Sequence, residues 1–283
     1  MPLVSAGEII VSARAAGRGA GAFNVIGIEH AEAILTGAES AGAAVVLQIS
    51  ENCAAYHGGL APVAAAVLAA ARSAAVPAAV HLDHATSAEL VREAVTLGLG
   101  SVMYDASVLP YADNVAATAA IAAWCRDRGV FVEAELGEVG GKDGVHAAGA
   151  RTDPAQAADF AAATGIDALA VAVGSSHAML TRDAVLDLEL IRRIRETVGV
   201  PLVLHGSSGV PDDALSAAVA AGLTKINVAT QLNKVFTAAV RSRLAADTMM
   251  TDPRRYLAAG RDAIAAEVCR LLGVLRADAG SRV

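Results

Sequence analysis

Short apolar runs recur along the chain and are separated by longer segments with helical spacing. The runs lie at 21–25, 44–50, 78–84, 101–107, 131–137, 168–174, 201–206 and 225–230. Their nearly continuous apolar character is typical of strands that are buried on both faces of a sheet. In the helical segment 87–97, apolar residues share one face at Leu90, Ala94 and Leu97, and Ser87 is a suitable N-cap. Eight strands that alternate with helices predict an α/β fold, a (β/α)8 barrel.

An open doubly wound sheet is the alternative fold, but no Gly-rich turn follows the first strand. No linker of domain-boundary character is present, so we expect one domain over 1–283. The barrel would span about 1–235, and a C-terminal helical extension about 236–283 with a break at "TDPRRY". The Gly-rich segment 138–153 follows the fifth strand, which places it as a long loop on the active face of a barrel.

Composition narrows the function classes. The net charge of −7 argues against a nucleic-acid surface, and aromatic residues, at 3%, are too few for a base-stacking platform. The N-terminal segment has no long apolar core behind a basic start, so we expect no signal peptide and no membrane partner. The cysteines Cys53, Cys125 and Cys269 form no CxxC motif, and we expect reduced thiols in a cytoplasmic protein.

Polar side chains gather at or near the carboxyl ends of the predicted strands, where barrel enzymes build their sites. They are His84, Asp105, Glu133, Glu135, His177, His205 and Asn227. A single histidine at a strand end is usually a structural residue. Three histidines at matching depth in the barrel favour a metal site, because three neutral imidazoles and one open coordination position form a catalytic zinc site. We interpret His30, His57 and His146 as surface residues, and His81 as a packed residue or one that supports a ligand.

Two stretches of small residues indicate an anion site. "HGSSGVPDD" (205–213) follows the seventh strand and "NVATQ" (227–231) follows the eighth. Barrels often bind phosphate there, because small residues let backbone N–H groups approach the anion. Alone, the first stretch is an ordinary helix start with Ser as cap and Pro at N1. The two stretches together favour phosphate.

Six ordered motifs, "HLDHATS", "SVMYDAS", "VEAELGEVGG", "VGSSHAM", "LVLHGSSG" and "KINVAT", resemble the class II, zinc-dependent fructose-bisphosphate and tagatose-bisphosphate aldolases. The resemblance covers nearly the whole chain. It implies that His84, His177 and His205 hold the catalytic Zn²⁺, and that Asp105 and Glu135 match positions that can hold a second divalent or monovalent cation. "NVAT" is more similar to the tagatose-type branch than to the fructose-type "NVNT".

The resemblance also assigns roles toward substrate. Asp83 matches the acid that exchanges a proton with the aldehyde oxygen, and Asn24 and Ser50 match polar residues of the substrate channel. The pocket for the dihydroxyacetone-phosphate half would comprise Gly206, Ser207, Ser208, Asn227, Val228, Ala229 and Thr230.

Two positions depart from the family pattern. Ala178 follows the second zinc histidine, where the family has Gly; its backbone N–H can still serve the substrate phosphate, but its Cβ can crowd it. Asp143 stands in "GGKDG" where the family has the Glu that takes the substrate proton. These departures put the substrate and the rate in question and leave the zinc ligands intact.

The resemblance implies reversible cleavage of a ketose 1,6-bisphosphate of the fructose or tagatose type to dihydroxyacetone phosphate and glyceraldehyde 3-phosphate, or cleavage of a related ketose phosphate. Lys225 is interpreted as an ion-paired residue, with a Schiff-base role as the rival. We expect a small phosphorylated sugar as substrate and a homodimer or homotetramer. Two alternatives stay open: another metal-dependent sugar-phosphate enzyme, such as an epimerase or hydrolase, and a zinc phosphosugar-binding protein with impaired turnover.

Overall fold

A computed structural model describes residues 2–137, 151–176 and 179–276. These residues contain eight parallel strands that close into a barrel in chain order, with the last strand paired to the first. The strands are β1 (Ala20–Asn24), β2 (Val45–Ser50), β3 (Ala78–Ala85), β4 (Ser101–Tyr104), β5 (Phe131–Glu135), β6 (Ala168–Ala170), β7 (Leu202–Leu204) and β8 (Leu223–Val228). The predicted (β/α)8 barrel is confirmed, and the open sheet is excluded.

Helices follow the strands and form the outer layer. Those described are α1 (Ala6–Ala15), α2 (Ile28–Ala41), α3 (Glu51–Tyr56), α4 (Leu60–Ser73), α5 (Ala88–Leu97), α6 (Tyr111–Arg126), α7 (Pro154–Thr164), α8 (Leu188–Thr197), α9 (Asp212–Ala221), α10 (Thr230–Ala246) and α11 (Pro253–Leu275). None of them is both long and apolar enough to cross a bilayer.

Helix α5 shows how the local sequence specifies an element. The Ser87 hydroxyl accepts a hydrogen bond from the Leu90 N–H at 3.1 Å, as the capping prediction requires. The buried face was predicted slightly wrongly, because it centres on Val91 and Ala94, while Leu90 and Leu97 are only half-buried.

The eight apolar runs all contain strands, but several strands are shorter than the runs. β6 ends at Ala170, although Val171 and Val173 are fully buried. Apolar character continues there because the loop itself is packed in the core. β8 begins two residues before the predicted run and ends at Val228, since the next helix starts at Thr230.

The C-terminal helices break where the sequence predicts. α10 ends at Ala246, and Pro253 occupies the first turn of α11, whose N-cap is Asp252. α11 packs against α2 and α10, so the extension covers one side of the barrel. A boundary near residue 235 stays a prediction. Most of the predicted loop, 138–150, lies outside the described residues.

Candidate active site

The end of β3 brings Asp83 and His84 to the same side of the strand. We predicted that the strand ends at His84, and this is wrong: β3 continues to Ala85 through an irregularity in its pairing with β4. His84 has φ of +53° and is the one non-glycine residue of the described chain in the left-handed region. Adjacent residues of a regular strand face opposite ways, so this local turn lets both side chains reach the barrel mouth.

Potential ligand atoms converge at this mouth. One ligand atom from each of Asp83, His84 and His205 lies within 4.8 Å of the others. The imidazole rings of His84 and His205 are 4.6 Å apart between centroids, at an interplanar angle of 69°. Two of the three histidines that were predicted from separate strands are therefore neighbours in space.

A second group shares His84. His84, Asp105 and Glu135 likewise offer ligand atoms within 4.8 Å of one another. His84 Nδ1 lies 2.8 Å from Asp105 Oδ2, and the other Asp105 oxygen accepts hydrogen bonds from the backbone and hydroxyl of Ser107. Imidazole nitrogens and carboxylate oxygens together suit a borderline cation such as Zn²⁺, so the donor set fits the expected metal.

His205 lies between two buried carboxylates. Its Nε2 is 2.9 Å from Glu133 Oε1, and its Nδ1 is 3.2 Å from Glu135 Oε2. Burial disfavours the imidazolium, but hydrogen bonds to Glu133 and Glu135 outweigh this and raise the pKa of His205 to about 9. Without metal, His205 is therefore an imidazolium at neutral pH, with a proton on each ring nitrogen.

Glu133 is also paired with Lys225. The Lys225 Nζ lies 2.7 Å from Glu133 Oε2, and neither side chain is exposed. The ion-paired interpretation of Lys225 is thereby confirmed. The alternative, a Schiff-base role, requires a neutral and accessible amine, and here the amine is buried and paired with a carboxylate. His81 is buried with Nδ1 at 2.6 Å from the Ser101 hydroxyl, as predicted for a packed residue. Burial and the charge of Lys225 lower the pKa of His81 to about 3.

A chain of amides leads to Asp83. The Gln48 Nε2 donates to Asn24 Oδ1 at 3.0 Å, and the Asn24 Nδ2 donates to Asp83 Oδ2 at 2.9 Å. Burial raises the pKa of Asp83, but the neighbouring charges of His84 and Lys225 lower it to about 2, so Asp83 is ionised. Gln48 has no role in the sequence interpretation, although a glutamine within an apolar strand was a usable signal.

Hydrogen bonds connect the loops that follow β7 and β8. Gly206 has φ of +68°, and a Cβ there would clash with the Ser176 carbonyl. Ser207 donates its hydroxyl to the Asn227 carbonyl, and the Ser208 hydroxyl accepts from the Gln231 N–H. These serine hydroxyls therefore connect the two stretches that were predicted to bind phosphate. In the second stretch, Val228 ends β8, Ala229 is the N-cap of α10, and Thr230 is the first residue of that helix. Asn227 is buried, and its Oδ1 accepts no hydrogen bond from the described residues.

Other predicted positions are distributed as follows. Ser50 ends β2, and its hydroxyl caps α3 by accepting from the Cys53 N–H at 3.1 Å. His177, Ala178 and Asp143 lie outside the described residues, and so does His146. The chain before His177 reaches β7, because the Ser175 hydroxyl donates to the His205 carbonyl at 2.6 Å.

The prediction that His30 lies on the surface is wrong. It is 6% exposed and stacks on Phe236 of α10, with ring centroids 5.0 Å apart. A helix added late in the chain covers it, which the local pattern of α2 does not show.

Comparisons with known proteins agree with this geometry. A model of the family "fructose-bisphosphate aldolase class-II" matches residues 4–279. The chain is 41% identical over 272 residues to a fructose-bisphosphate aldolase of Geobacillus stearothermophilus, and the match covers 95% of each chain. It is 40% identical over 268 residues to one of Staphylococcus epidermidis, covering 93% of this chain and 94% of the relative.

Solved structures show the same fold. The YdjI aldolase of Escherichia coli K12 superposes with a TM-score of 0.84 at 28% identity, covering 99% of this chain and 100% of that one. A putative fructose-1,6-biphosphate aldolase of Coccidioides immitis gives 0.86 at 28% identity, with 95% of each chain covered. The match over nearly the whole length, together with a His- and carboxylate-lined barrel mouth, shows that the chain belongs to the class-II fructose-bisphosphate aldolase family of aldehyde-lyases.

Proposed function

We propose that the protein catalyses zinc-dependent, reversible cleavage of a ketose 1,6-bisphosphate to dihydroxyacetone phosphate and glyceraldehyde 3-phosphate. The observation that carries the proposal is the convergence of Asp83, His84 and His205 within 4.8 Å at the barrel mouth. A proton-transferring acid and metal ligands in one place are what aldol cleavage requires. The names of the relatives support a substrate of the fructose-bisphosphate type.

In this proposal His84 and His205 hold Zn²⁺ together with His177. Asp105 and Glu135 hold the second cation, divalent or monovalent. When bound, Zn²⁺ would supply a Lewis acid for the negative charge that develops on the ketone oxygen. The remaining chemistry belongs to the side chains around it.

Asp83 transfers the proton of the C4 hydroxyl. An ionised carboxylate accepts this proton during cleavage and returns it to the aldehyde oxygen during condensation. The hydrogen bond from Asn24 occupies Asp83 Oδ2, and Oδ1 accepts no hydrogen bond from the described residues, so Oδ1 is the oxygen that we assign to proton transfer. Ser50 lies at the end of the adjacent strand and would line the substrate channel.

The substrate phosphate would lie over the backbone of the two joined loops. The contributing residues are Gly206, Ser207, Ser208, Asn227, Val228, Ala229 and Thr230, with the backbone N–H of Ala178. The N-terminus of α10 adds a favourable dipole for the anion. Asp143 exchanges the proton on the dihydroxyacetone-phosphate carbon.

Product analysis on both C4 epimers tests the proposal. The purified protein should cleave fructose 1,6-bisphosphate or tagatose 1,6-bisphosphate to the two triose phosphates, and a chelator should abolish the reaction. The "NVAT" sequence favours measurable tagatose activity, and the relatives favour fructose. If neither epimer gives triose phosphates, the proposal is overturned.

Proton exchange separates the two acids. Asp143→Asn should keep zinc and bind dihydroxyacetone phosphate, yet exchange its carbon-bound proton with solvent very slowly. Asp83→Ala should retain that exchange and lose cleavage, because its proton belongs to the aldehyde half. Normal exchange in Asp143→Asn would assign the base to another residue.

Two other functions make different predictions in the same assays. An epimerase or hydrolase would give other products, and a phosphosugar-binding protein would bind ligand without proton exchange. The proposal also includes a homodimer or homotetramer in the cytoplasm, which size-exclusion chromatography with light scattering and cell fractionation would test.

A further inference from the structure

A charged pair crosses the interior of the barrel directly behind His205. Glu133 lies on β5 and Lys225 on β8, which are not neighbouring strands, and both side chains are completely buried. The Lys225 Nζ lies 2.7 Å from Glu133 Oε2, while Glu133 Oε1 lies 2.9 Å from His205 Nε2. The carboxylate is therefore held at both of its oxygens.

Stability alone is a poor reason for this pair. Taking two charges out of water costs several kcal/mol per ion, and well-packed apolar residues can often replace such a pair without loss of stability. The strand residues in register with the pair are apolar, since Met103 and Ala168 lie beside Glu133 and Val203 lies beside Lys225. The nearest polar side chain besides His205 is His81, whose Nε2 lies 3.9 Å from Glu133 Oε2. The pair therefore calls for a functional explanation.

The hydrogen bonds give one. An ionised carboxylate only accepts hydrogen bonds, so Nε2 of His205 must carry a proton and donate a hydrogen bond to Glu133, which leaves Nδ1 as the nitrogen that can give up its proton to a metal. The other nitrogen, Nδ1, lies 3.2 Å from Oε2 of Glu135, which ends β5 and is therefore nearer the barrel mouth than Glu133. Glu133 thus determines which ring nitrogen of His205 is directed to the barrel mouth.

We propose that Glu133, held by Lys225, orients His205 so that Nδ1 is its metal-binding atom, and that this pair sets the metal affinity of the site. Both are positioning residues that act through His205. The inference rests on the proposed function only in taking His205 as a metal ligand. A carboxylate behind a metal-bound histidine fixes the ring and increases its basicity, and loss of such a partner typically weakens metal binding 10- to 100-fold.

Zn²⁺ affinity, measured by competition with a chromophoric chelator, tests the proposal without any activity assay. Glu133→Gln keeps the shape of the side chain and removes its charge, and we expect Zn²⁺ binding to weaken about 10- to 100-fold. Glu133→Gln with Lys225→Met removes both buried charges and should fold normally, with binding still weakened about tenfold.

A matched control separates orientation from general destabilisation. Phe160→Leu changes a buried residue of α7 in the outer layer, so it should lower the melting temperature and leave Zn²⁺ affinity unchanged. A purely structural role for the pair predicts the same pattern for Glu133→Gln. Zn²⁺ affinity within twofold of wild type in either folded Glu133 variant would overturn the proposal.

The wild-type protein provides an independent measurement. With ¹¹³Cd²⁺ bound and histidine labelled with ¹⁵N, the His205 resonance should show coupling through Nδ1 and a retained Nε2–H. Coupling through Nε2 would overturn the proposal even if every variant failed to fold. Normal metal binding without triose-phosphate products would overturn only the proposed function.

Discussion

The left-handed backbone of His84 makes a specific prediction about stability. Its φ of +53° belongs to a region that costs a residue with a Cβ about 1–2 kcal/mol relative to glycine. We therefore compare His84→Gly with His84→Ala in chelator-treated protein. Both variants lose the imidazole and its contact with Asp105, so the comparison isolates the backbone.

The expected difference follows from two opposing effects. Glycine relieves the strain of about 1–2 kcal/mol, but its greater freedom in the unfolded chain costs about 0.4–1 kcal/mol. The net result is that His84→Gly should be more stable than His84→Ala by about 0.5–1 kcal/mol, equivalent to a melting temperature roughly 2 °C higher.

Urea unfolding followed by circular dichroism measures this difference. Ala85→Gly serves as the control at the next position, which has no positive φ; there glycine should destabilise the protein. If His84→Ala equals or exceeds His84→Gly in stability, the backbone of β3 is not strained at His84, and the explanation for its paired side chains fails.

Three further predictions follow from the surroundings of the site. Gln48→Leu should lower kcat about 5- to 100-fold, because Asn24 loses the donor that fixes it, with little change in urea stability; an unchanged kcat would contradict this. Zn²⁺ affinity should rise about tenfold per pH unit from pH 7 to 9, because metal must displace the proton that His205 holds up to about pH 9; a flat profile in a competition titration would refute it. Burial lowers the folded pKa of His30, so stability should fall as the pH drops from 6.5 through that lowered value. His30→Phe, which preserves stacking on Phe236, should remove this part of the acid sensitivity, and equal acid sensitivity of the two proteins in urea titrations would contradict it.

Much of the fold could be predicted from the sequence because the strands are buried on both faces. Buried strands produce apolar runs such as "AVVLQIS", and eight of them with helices between leave few arrangements. The positions of His84 and His205 followed from the same pattern, since strand ends of one barrel meet at one mouth. The break before Pro253 was also visible, because proline favours a helix start.

Features that depend on distant contacts could not be predicted. Glu133 and Lys225 pair across 92 positions of the chain, and no local spacing indicates that they meet. His30 is buried by a helix about 200 residues later. The turn at His84 carries no residue signature, because a positive φ usually selects glycine and here a histidine adopts it.

Zinc titration of metal-free protein during the cleavage assay tests the central claim most directly. The account predicts no cleavage of fructose 1,6-bisphosphate or tagatose 1,6-bisphosphate without metal, and activity that rises with added Zn²⁺ until about one catalytic ion is bound per chain. His205→Ala should stay inactive at the same zinc concentrations. Full activity in metal-free protein, or wild-type activity and zinc content in His205→Ala, would contradict it.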